Sequence, residues 1–490
     1  MTRIFCKAAK GLSLLLILLL VGCSRAPVPD TPETQSAAAQ WVRFDIYAIN
    51  DLHGKLADTA QQPGVDELSA YLKQIPNALL LSTGDMWQGA SESNLTDGRI
   101  VTDWMNRMGF AAMTLGGHEY DWGEAGIRQN REAAEFPFLG INIYSRETDT
   151  RVDYCQSSTL VEIEGVQIGI IGAIGNCYGS ISAEHTQNVY FKTGSELTAL
   201  VQAEAEKLRR EGADFILYAI HDGYDQNTGA EAPTVADAEL ADYYDAALSD
   251  GYVDLVFEAD THYSYVLRDS HGVYHLQAGG NNSAISHAGV LLNKTTGEFS
   301  VLSAELLPAS LYGNGEQDPM VEQLLEEYAD QILPATRLLG ANSQYRSSYQ
   351  LCQLVADLYW EKGLEKWGGA YAIILGGGFI SCRSPGYLPV GEVRYSQLQS
   401  LFPFDNAIVL CSIRGSDLQS RFLETENANY YIRTAATIPD IDPDGIYYVV
   451  TDTYTANYTY NRMTILHTYE EGIYARDLVA DQIAAGKLDS

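Results

Sequence analysis

The sequence predicts an α/β protein with a large layered domain at residues 41–310 and a smaller domain at residues 344–490. Apolar strand patterns alternate with helical patterns over residues 41–310, as they do in layered α/β domains. The chain has 490 residues, which is too many for a single hydrophobic core. Five of the predicted strands end near residues of metal-ligand type, and the loops at such strand ends should meet at one site.

The strand and helix patterns of the large domain are regular. The first strand, at residues 41–50, alternates and places Val42, Phe44 and Ile46 on one face. Apolar residues at helical spacing predict helices that begin near residues 65 and 195, and a capping box at residues 193–196 opens the second of these. Further buried strands are predicted at residues 79–81, 166–174, 214–220 and 253–257.

The patterns after residue 310 predict a connector and a second domain. A single helix over residues 316–337 is predicted within a linker region at residues 311–343. Residues 348–363 then show a helical pattern, and residues 370–375 show a strand pattern. We expect Gly376–Gly378 to form a tight turn after that strand.

The N-terminus predicts export. Three basic residues precede an apolar run at residues 12–21, which is too short to span a bilayer. Residues 20–23 (Leu-Val-Gly-Cys) resemble a bacterial lipobox, so residues 1–22 are predicted to be a lipoprotein signal peptide and Cys23 the site of lipid attachment. The alternative is a plain secretory signal. Residues 23–40 have the composition of a flexible tether, and the mature chain is expected to be extracytoplasmic and anchored to a bacterial membrane by lipid alone.

Charge and cysteine content restrict the function further. The formal net charge is -33, which argues against binding of a nucleic-acid polymer. An anionic small substrate would need local positive charge, which bound metal ions would supply. Cys155 and Cys177 are the expected disulfide pair, with buried free thiols as the alternative. No CxxC pattern occurs, so a thiolate metal site is not expected.

Residues of metal-ligand type follow the strands in short segments. Carboxylates and imidazoles that converge on one site are the ligands that a pair of divalent ions needs. The side chains concerned are Asp51 and His53, Asp85, His118 and Asp121, His221, and Asp260 and His262.

Taken in order, these segments resemble the bacterial 5'-nucleotidase family over nearly all of residues 41–490. The matching motifs are Asn-Asp-Leu-His-Gly at 50–54, Gly-Asp-Met-Trp-Gln-Gly at 84–89, Gly-Gly-His-Glu-Tyr-Asp at 116–121, and the segment around His221. The resemblance implies a four-layer α/β/β/α metallophosphoesterase sandwich, a linker helix and a C-terminal α+β nucleotide-binding domain.

The resemblance also implies roles for the ligand-type residues. Two divalent ions about 3.5–4 Å apart can bind both the phosphate and the attacking oxygen. His118 would stabilise charge or protonate the leaving group, and Asp121 would orient its imidazole. The first ion would be held by Asp51, His53, Asp85 and His262, and the second by the bridging Asp85 with His221 and Asp260.

Two departures from the family fall on the second ion. Gly117 stands where the family has Asn, and Asp260 stands where it has His. Oxygen ligands favour Mn, Mg or Ca over Zn. We therefore expect two divalent ions, any of Mn, Mg, Ca or Zn, with the second bound more weakly.

The C-terminal motifs resemble the family less closely. The base-stacking pair of the family corresponds to Phe404 and Tyr454. Arg383 is the expected replacement for an arginine that is missing after the glycine run. The remaining substrate-binding residues implied by the resemblance are Gly377, Gly378 and Asn406.

The predicted function is extracellular, metal-dependent hydrolysis of phosphate esters, with nucleotides as the expected substrates and a monomer as the expected state. The alternative is a degenerate ligand-binding or interaction lipoprotein that keeps the fold without turnover. The absent side chain at Gly117 motivates the alternative, whereas the retained His118 and Asp121 favour an enzyme.

Overall fold

The computed structural model describes most of the chain after residue 39. The described ranges are 40–57, 64–182, 185–223, 251–269, 271–313, 315–379, 386–423, 430–434, 440–459, 462–469 and 473–488. The predicted signal peptide, Cys23, most of the tether, and Arg383 lie outside the described residues. Residues Trp41–Ser490 form one compact unit. In the part that is described, no helix has the length and apolar character needed to cross a bilayer.

The described strands are numbered in chain order. They are β1 Trp41–Ile49, β2 Ala78–Ser82, β3 Ala112–Thr114, β4 Phe138–Leu139, β5 Ile143–Ser145, β6 Ser158–Ile163, β7 Val166–Ile174, β8 Val189–Phe191, β9 Phe215–His221, β10 Leu255–Phe257, β11 Ser264–Arg268, β12 Tyr274–Ala278, β13 Ala284–Asn293, β14 Phe299–Pro308, β15 Leu338–Asn342, β16 Ile373–Phe379, β17 Gly391–Arg394, β18 Ile408–Arg414, β19 Tyr430–Thr434, β20 Ile446–Asp452 and β21 Thr464–Thr468.

The described α-helices are numbered in the same way. They are α1 Val65–Lys73, α2 Ser91–Asn94, α3 Arg99–Met108, α4 Gly123–Ala133, α5 Ser195–Arg210, α6 Ala309–Tyr312, α7 Pro319–Glu327, α8 Ala329–Ile332, α9 Ser348–Trp367, α10 Tyr395–Leu401, α11 Gly415–Leu418 and α12 Ala475–Ala484. Short 3₁₀ segments lie at His118–Tyr120, Asn176–Ser180 and Leu333–Thr336.

Two six-stranded sheets form the centre of the large domain. The first has the order β14-β13-β1-β2-β3-β4 and the second has the order β11-β12-β10-β9-β7-β6. Strands β1 to β4 run parallel to one another, as do β7, β9, β10 and β12. The carboxyl ends of neighbouring strands therefore lie at one edge of each sheet, which is where the ligand-type residues follow.

The two sheets pack face to face with helices outside. Phe44 and Ile46 of β1 belong to one buried cluster with Phe215 of β9 and Phe257 of β10. The opposite face of β1 packs on α1 and α3, and α5 covers the outer face of β7 and β9. The alternation predicted for β1 is confirmed, and so is the predicted α/β/β/α class.

The C-terminal residues form a separate five-stranded sheet. Its order is β19-β16-β20-β18-β21, and only β16 and β20 are parallel. Helix α9 packs on this sheet through Leu351, Val355 and Tyr359, which are buried with Val450 of β20. Ser347 and Gln350 form a capping box at the start of α9, which explains why the helix begins there.

The glycine run differs from its predicted turn. Gly376 and Gly378 lie inside strand β16. A Cβ atom on Gly376 would lie 2.8 Å from the carbonyl oxygen of Ala356, and a Cβ on Gly378 would lie 2.5 Å from that of Cys352. The glycines therefore let the strand approach the backbone of α9, and the turn prediction is wrong.

Three further local expectations also differ from the structure. The capping box at residues 193–196 does not form, because α5 begins after Gly194 without a side-chain cap. The predicted linker helix is divided at Tyr328, and its first half packs on the large domain through Val321 and Leu324. Cys155 and Cys177 are both buried free thiols, so the disulfide pair is wrong and its alternative holds.

Candidate metal centre

Strand ends from both sheets bring the ligand-type residues together. Asp51 and His53 follow β1, Asp85 follows β2, and His118 follows β3 in the first sheet. In the second sheet, His221 is the last residue of β9, whereas Asp260 and His262 follow β10. The convergence expected from the sequence is present in the structure.

The backbone at these positions is strained. Five of the ligand-type residues have positive φ angles: Asp51 (49°), His53 (52°), Asp85 (56°), Asp260 (70°) and His262 (58°). Such a conformation costs an L-residue about 1–3 kcal/mol and is found most often at functional sites. With these φ angles, the backbone departs from the strand geometry in which successive side chains point to opposite faces. The side chains can therefore face a common centre.

A first group of donors consists of Asp51, His53 and His262. One ligand atom from each lies within 4.8 Å of the others. Nε2 of His53 lies 3.1 Å from Nε2 of His262, and Nε2 of His262 lies 3.5 Å from Oδ1 of Asp51. Two imidazoles and a carboxylate that face one point are a ligand set for a divalent ion.

A second group of donors consists of Asp51, Asp85 and His221. These three donors also lie within 4.8 Å of one another. Nε2 of His221 lies 3.2 Å from Oδ1 of Asp85 and 3.9 Å from Oδ1 of Asp260. Asp51 is therefore the donor common to both groups, and the bridging role that the resemblance gives to Asp85 stays a prediction.

Backbone carbonyl groups fix two of the histidine rings. Nδ1 of His53 lies 2.9 Å from the carbonyl oxygen of Gln88, and Nδ1 of His221 lies 2.6 Å from that of Thr83. A carbonyl oxygen can only accept, so each Nδ1 carries the proton. Each Nε2 then faces the other donors, which is how metal-binding histidines are oriented.

Burial and charge oppose each other in the group. Burial alone would raise the pKa of Asp85, but His221, His118 and His53 hold it well below its usual value. Burial would lower the pKa of His221, yet Asp85, Asp51 and Asp260 raise it well above the usual range. Burial, with Asp85 and Asp51, raises the pKa of Asp260 to about 7 against the attraction of His221. Clustered buried carboxylates of this kind need cations.

The site is open on one side. Asp51 and His221 are fully buried, whereas the side chains of His118, Asp260 and His262 are 30%, 32% and 33% exposed. A ligand can therefore approach from the side where these three side chains lie.

His118 and Asp121 form a pair on that open side. Nδ1 of His118 lies 2.9 Å from Oδ2 of Asp121, so the carboxylate orients the imidazole. Nε2 of His118 lies 3.9 Å from Oδ2 of Asp85, which directs it toward the donors. The backbone N–H of His118 also donates to Oδ1 of Asp85 at 2.8 Å.

Glu119 is a residue of the candidate site that the sequence analysis did not predict. Its buried carboxylate accepts the backbone N–H groups of Asp85, Gly116 and Met86 at 2.9, 2.7 and 2.9 Å. Burial and Asp85 raise its pKa to about 7. Glu119 lies within the third motif, at residues 116–121. Its position in the sequence does not indicate that it binds the backbone of the second motif, at residues 84–89.

A loop of the C-terminal part lies against the site. The ring of Phe404 lies 5.5 Å from that of His118, and Nε2 of Gln88 donates to the carbonyl oxygen of Pro403 at 2.9 Å. Arg476, which is buried, forms an ion pair with Asp405 and donates to the hydroxyl of Tyr395 at 3.1 Å. Arg476 therefore supports the loop through Asp405. The sequence analysis did not predict this role.

Known proteins resemble this chain in sequence and in fold. Protein UshA of Yersinia enterocolitica is 26% identical over 414 residues, which cover 75% of this chain and 72% of UshA. A 5'-nucleotidase of Vibrio vulnificus is 24% identical over 469 residues, 85% of this chain and 80% of that protein. No family model matches the chain.

A solved structure agrees with these relatives. The crystal structure of a 5'-nucleotidase precursor from Thermus thermophilus covers 91% of this chain and 97% of its own, with a TM-score of 0.70 at 18% identity. The chain is similar to 5'-nucleotidases in sequence and in fold. The predicted family resemblance is confirmed, and the named 5'-nucleotidases are hydrolases of the metallophosphoesterase type.

The other residues implied by the 5'-nucleotidase resemblance are spread over the C-terminal part. Asn406 is half-buried in the same loop as Phe404, and half-buried Tyr454 follows β20. Gly377 and Gly378 lie in β16, where the carbonyl oxygen of Gly377 accepts from the Thr451 hydroxyl at 3.1 Å. Substrate binding by these four residues stays a prediction.

Proposed function

We propose that this chain is an extracytoplasmic, metal-dependent phosphoesterase that releases phosphate from nucleotides. The observation that carries the proposal is the convergence of Asp51, His53, Asp85, His221 and His262 on one point from the ends of two sheets. Several of the relatives are named 5'-nucleotidases, which supports a nucleotide substrate. The lipid anchor at Cys23 and the monomeric state are part of the proposal.

The donor set fits a pair of divalent ions. Nε2 of His221 makes no hydrogen bond although the residue is fully buried. Asp51 and Asp85 are at most 2% exposed. Their ligand atoms lie within 4.8 Å of each other, and buried carboxylates so close together need cations. We assign Asp51, His53 and His262 to the first ion, His221 and Asp260 to the second, and Asp85 to both.

Each protein group has a separate task in the proposed reaction. Two divalent ions, when bound, supply positive charge that neutralises the phosphate and activates its attack by water. His118, held by Asp121, faces the open side of the site, where it can donate a proton to the departing alkoxide. Glu119 holds the backbone of Asp85 and Met86, which keeps the bridging carboxylate in place.

The position of Phe404 supports a nucleotide rather than a bare phosphate ester. Its ring is half-buried beside His118, so a base stacked on it would place the attached phosphate near the donors. The separate buried clusters of residues 41–310 and 344–490 support the proposed division into two domains with a linker at residues 311–343.

Phosphate release tests the proposal. Chelated protein, resupplied with Mn²⁺, Mg²⁺, Ca²⁺ or Zn²⁺, is assayed with AMP, UDP-glucose and an aryl phosphate. We expect metal-dependent release that is fastest with a nucleotide. Asp85→Asn, which keeps the shape of the side chain, is the matched control and should be inactive. Nucleotide binding without release by the metal-loaded parent would instead support the degenerate binding protein.

A further inference from the structure

A thiol lies among the donors of the second ion. Cys177 belongs to the 3₁₀ segment that follows β7, and β7 is hydrogen-bonded to β9, which carries His221. One ligand atom from each of Cys177, His221 and Asp260 lies within 4.8 Å of the others. Cys177 is 7% exposed and His221 is fully buried.

The second ion lacks a donor from the third motif. Gly117 has no side chain, and a Cβ atom built on it would meet only Cγ1 of Ile181, at 3.6 Å. The neighbouring Gly116 cannot contribute either, because a Cβ there would lie 2.4 Å from Oδ1 of Asp85. Without another donor, the ion would have ligands only from Asp85, His221 and Asp260.

The orphaned imidazole nitrogen points to a ligand in this group. Nε2 of His221 is buried and makes no hydrogen bond. Its Nδ1 is already engaged with the carbonyl oxygen of Thr83, so Nε2 is the atom left for an ion. The sulfur of Cys177 is held close to the same residue, because Sγ donates to the carbonyl oxygen of His221 at 3.2 Å.

We propose that Cys177 is a thiolate ligand of the second ion, which it binds together with Asp85, His221 and Asp260. The inference rests on the proposed two-ion function. On binding, the thiol releases its proton to solvent and the sulfur turns from the carbonyl oxygen of His221 to the ion. The competing role is that of a structural thiol, which Cys155 exemplifies: it is buried and donates to the carbonyl oxygen of Gly140 at 3.4 Å.

A thiolate changes which ion the second site selects. Soft sulfur ligands favour zinc and other thiophilic ions, whereas carboxylates favour magnesium, calcium and manganese. The sequence alone, through Asp260, predicts the harder ions. With Cys177 in the shell, the second site should prefer Zn²⁺ or Co²⁺, so that the two sites of one chain differ in preference.

Cobalt absorption tests the sulfur ligand directly. Parent protein loaded with Co²⁺ should show the near-ultraviolet charge-transfer band of a cobalt–thiolate bond. Cys177→Ser keeps the hydrogen bond to the His221 carbonyl and should lose the band. It should also weaken Zn²⁺ binding at the second site about 100-fold or more, because loss of even an outer-shell partner costs about 10–100-fold. Cys155→Ser is the matched control and should change neither the cobalt–thiolate band nor the affinity for Zn²⁺.

X-ray absorption of the zinc-loaded parent tests the same claim without a variant. A sulfur scatterer at about 2.3 Å from zinc is expected. Two bound ions with only nitrogen and oxygen neighbours would overturn the role of Cys177 and leave the proposed function standing. A parent that binds no divalent ion would overturn both.

Discussion

We predict that a buried histidine beside the end of β10 makes the stability of the protein depend on pH. His275 of β12 is 1% exposed, and its Nδ1 lies 2.8 Å from Oε1 of Glu258, while its Nε2 lies 3.7 Å from Oδ2 of Asp269. Glu258 is followed two residues later by Asp260, so the cluster holds the end of β10. We predict that replacing His275 by Gln removes a charge that stabilises the fold fully at acidic pH and progressively less as the pH rises to about 9.

The magnitude follows from the environment of the imidazole. Burial would lower the pKa of His275, but Glu258 and Asp269 raise it from 6.5 to about 9. At about 1.4 kcal/mol for each pKa unit, this is worth at most about 3.5 kcal/mol. Because the folded pKa is raised, the contribution is complete below pH 6.5 and is lost as the pH rises to 9.

Urea unfolding with a chelator present, at several pH values from 6 to 9.5, measures this contribution. The free energy of unfolding of the parent should fall, relative to that of His275→Gln, as the pH rises through this window. The control is His271→Gln, because His271 is exposed and lies two residues beyond Asp269. Its free energy of unfolding should change with pH in parallel with that of the parent. A constant difference between the parent and His275→Gln at all pH values would refute the reasoning.

Four other predictions concern the site and the anchor. His118→Ala should keep its metal content and lose about 10²–10⁴-fold in turnover, the usual contribution of a positioned acid; an unchanged rate would exclude that role. Glu119→Ala should weaken metal binding in calorimetry about 10–100-fold, as loss of an outer-shell support does, whereas the exposed control Glu132→Ala should not. Phe404→Ala should raise KM for AMP about tenfold or more, since base stacking is worth about 1–3 kcal/mol, and leave KM for ribose 5-phosphate unchanged. Cys23→Ser should move the protein from the membrane fraction to the soluble fraction, and unchanged fractionation would contradict lipid attachment.

The sequence predicts those parts of the fold that depend on local pattern. The alternation at Phe44 and Ile46 identifies β1 and its buried face, and apolar runs identify β7 and β9. Parallel strands then bring their carboxyl ends together, so Asp51, Asp85 and His221 could be placed in one site before the structure was known.

Residues that act through distant contacts could not be placed in the same way. Glu119 reaches back to the backbone of residues 85 and 86, and Arg476 supports a loop more than 70 positions away. The glycine run was misread because its small residues serve close packing on α9 rather than a turn. Cys177 did carry a signal: it follows β7 as closely as His53 follows β1, but the lack of a CxxC pattern argued against a thiolate ligand.

We expect two divalent ions to lie on either side of Asp85. Anomalous diffraction from crystals soaked with Zn²⁺ locates these ions. Two peaks about 3.5–4 Å apart are expected, with Asp85 in contact with both, the first beside Asp51, His53 and His262 and the second beside His221. A single peak, or peaks away from these side chains, would contradict this expectation.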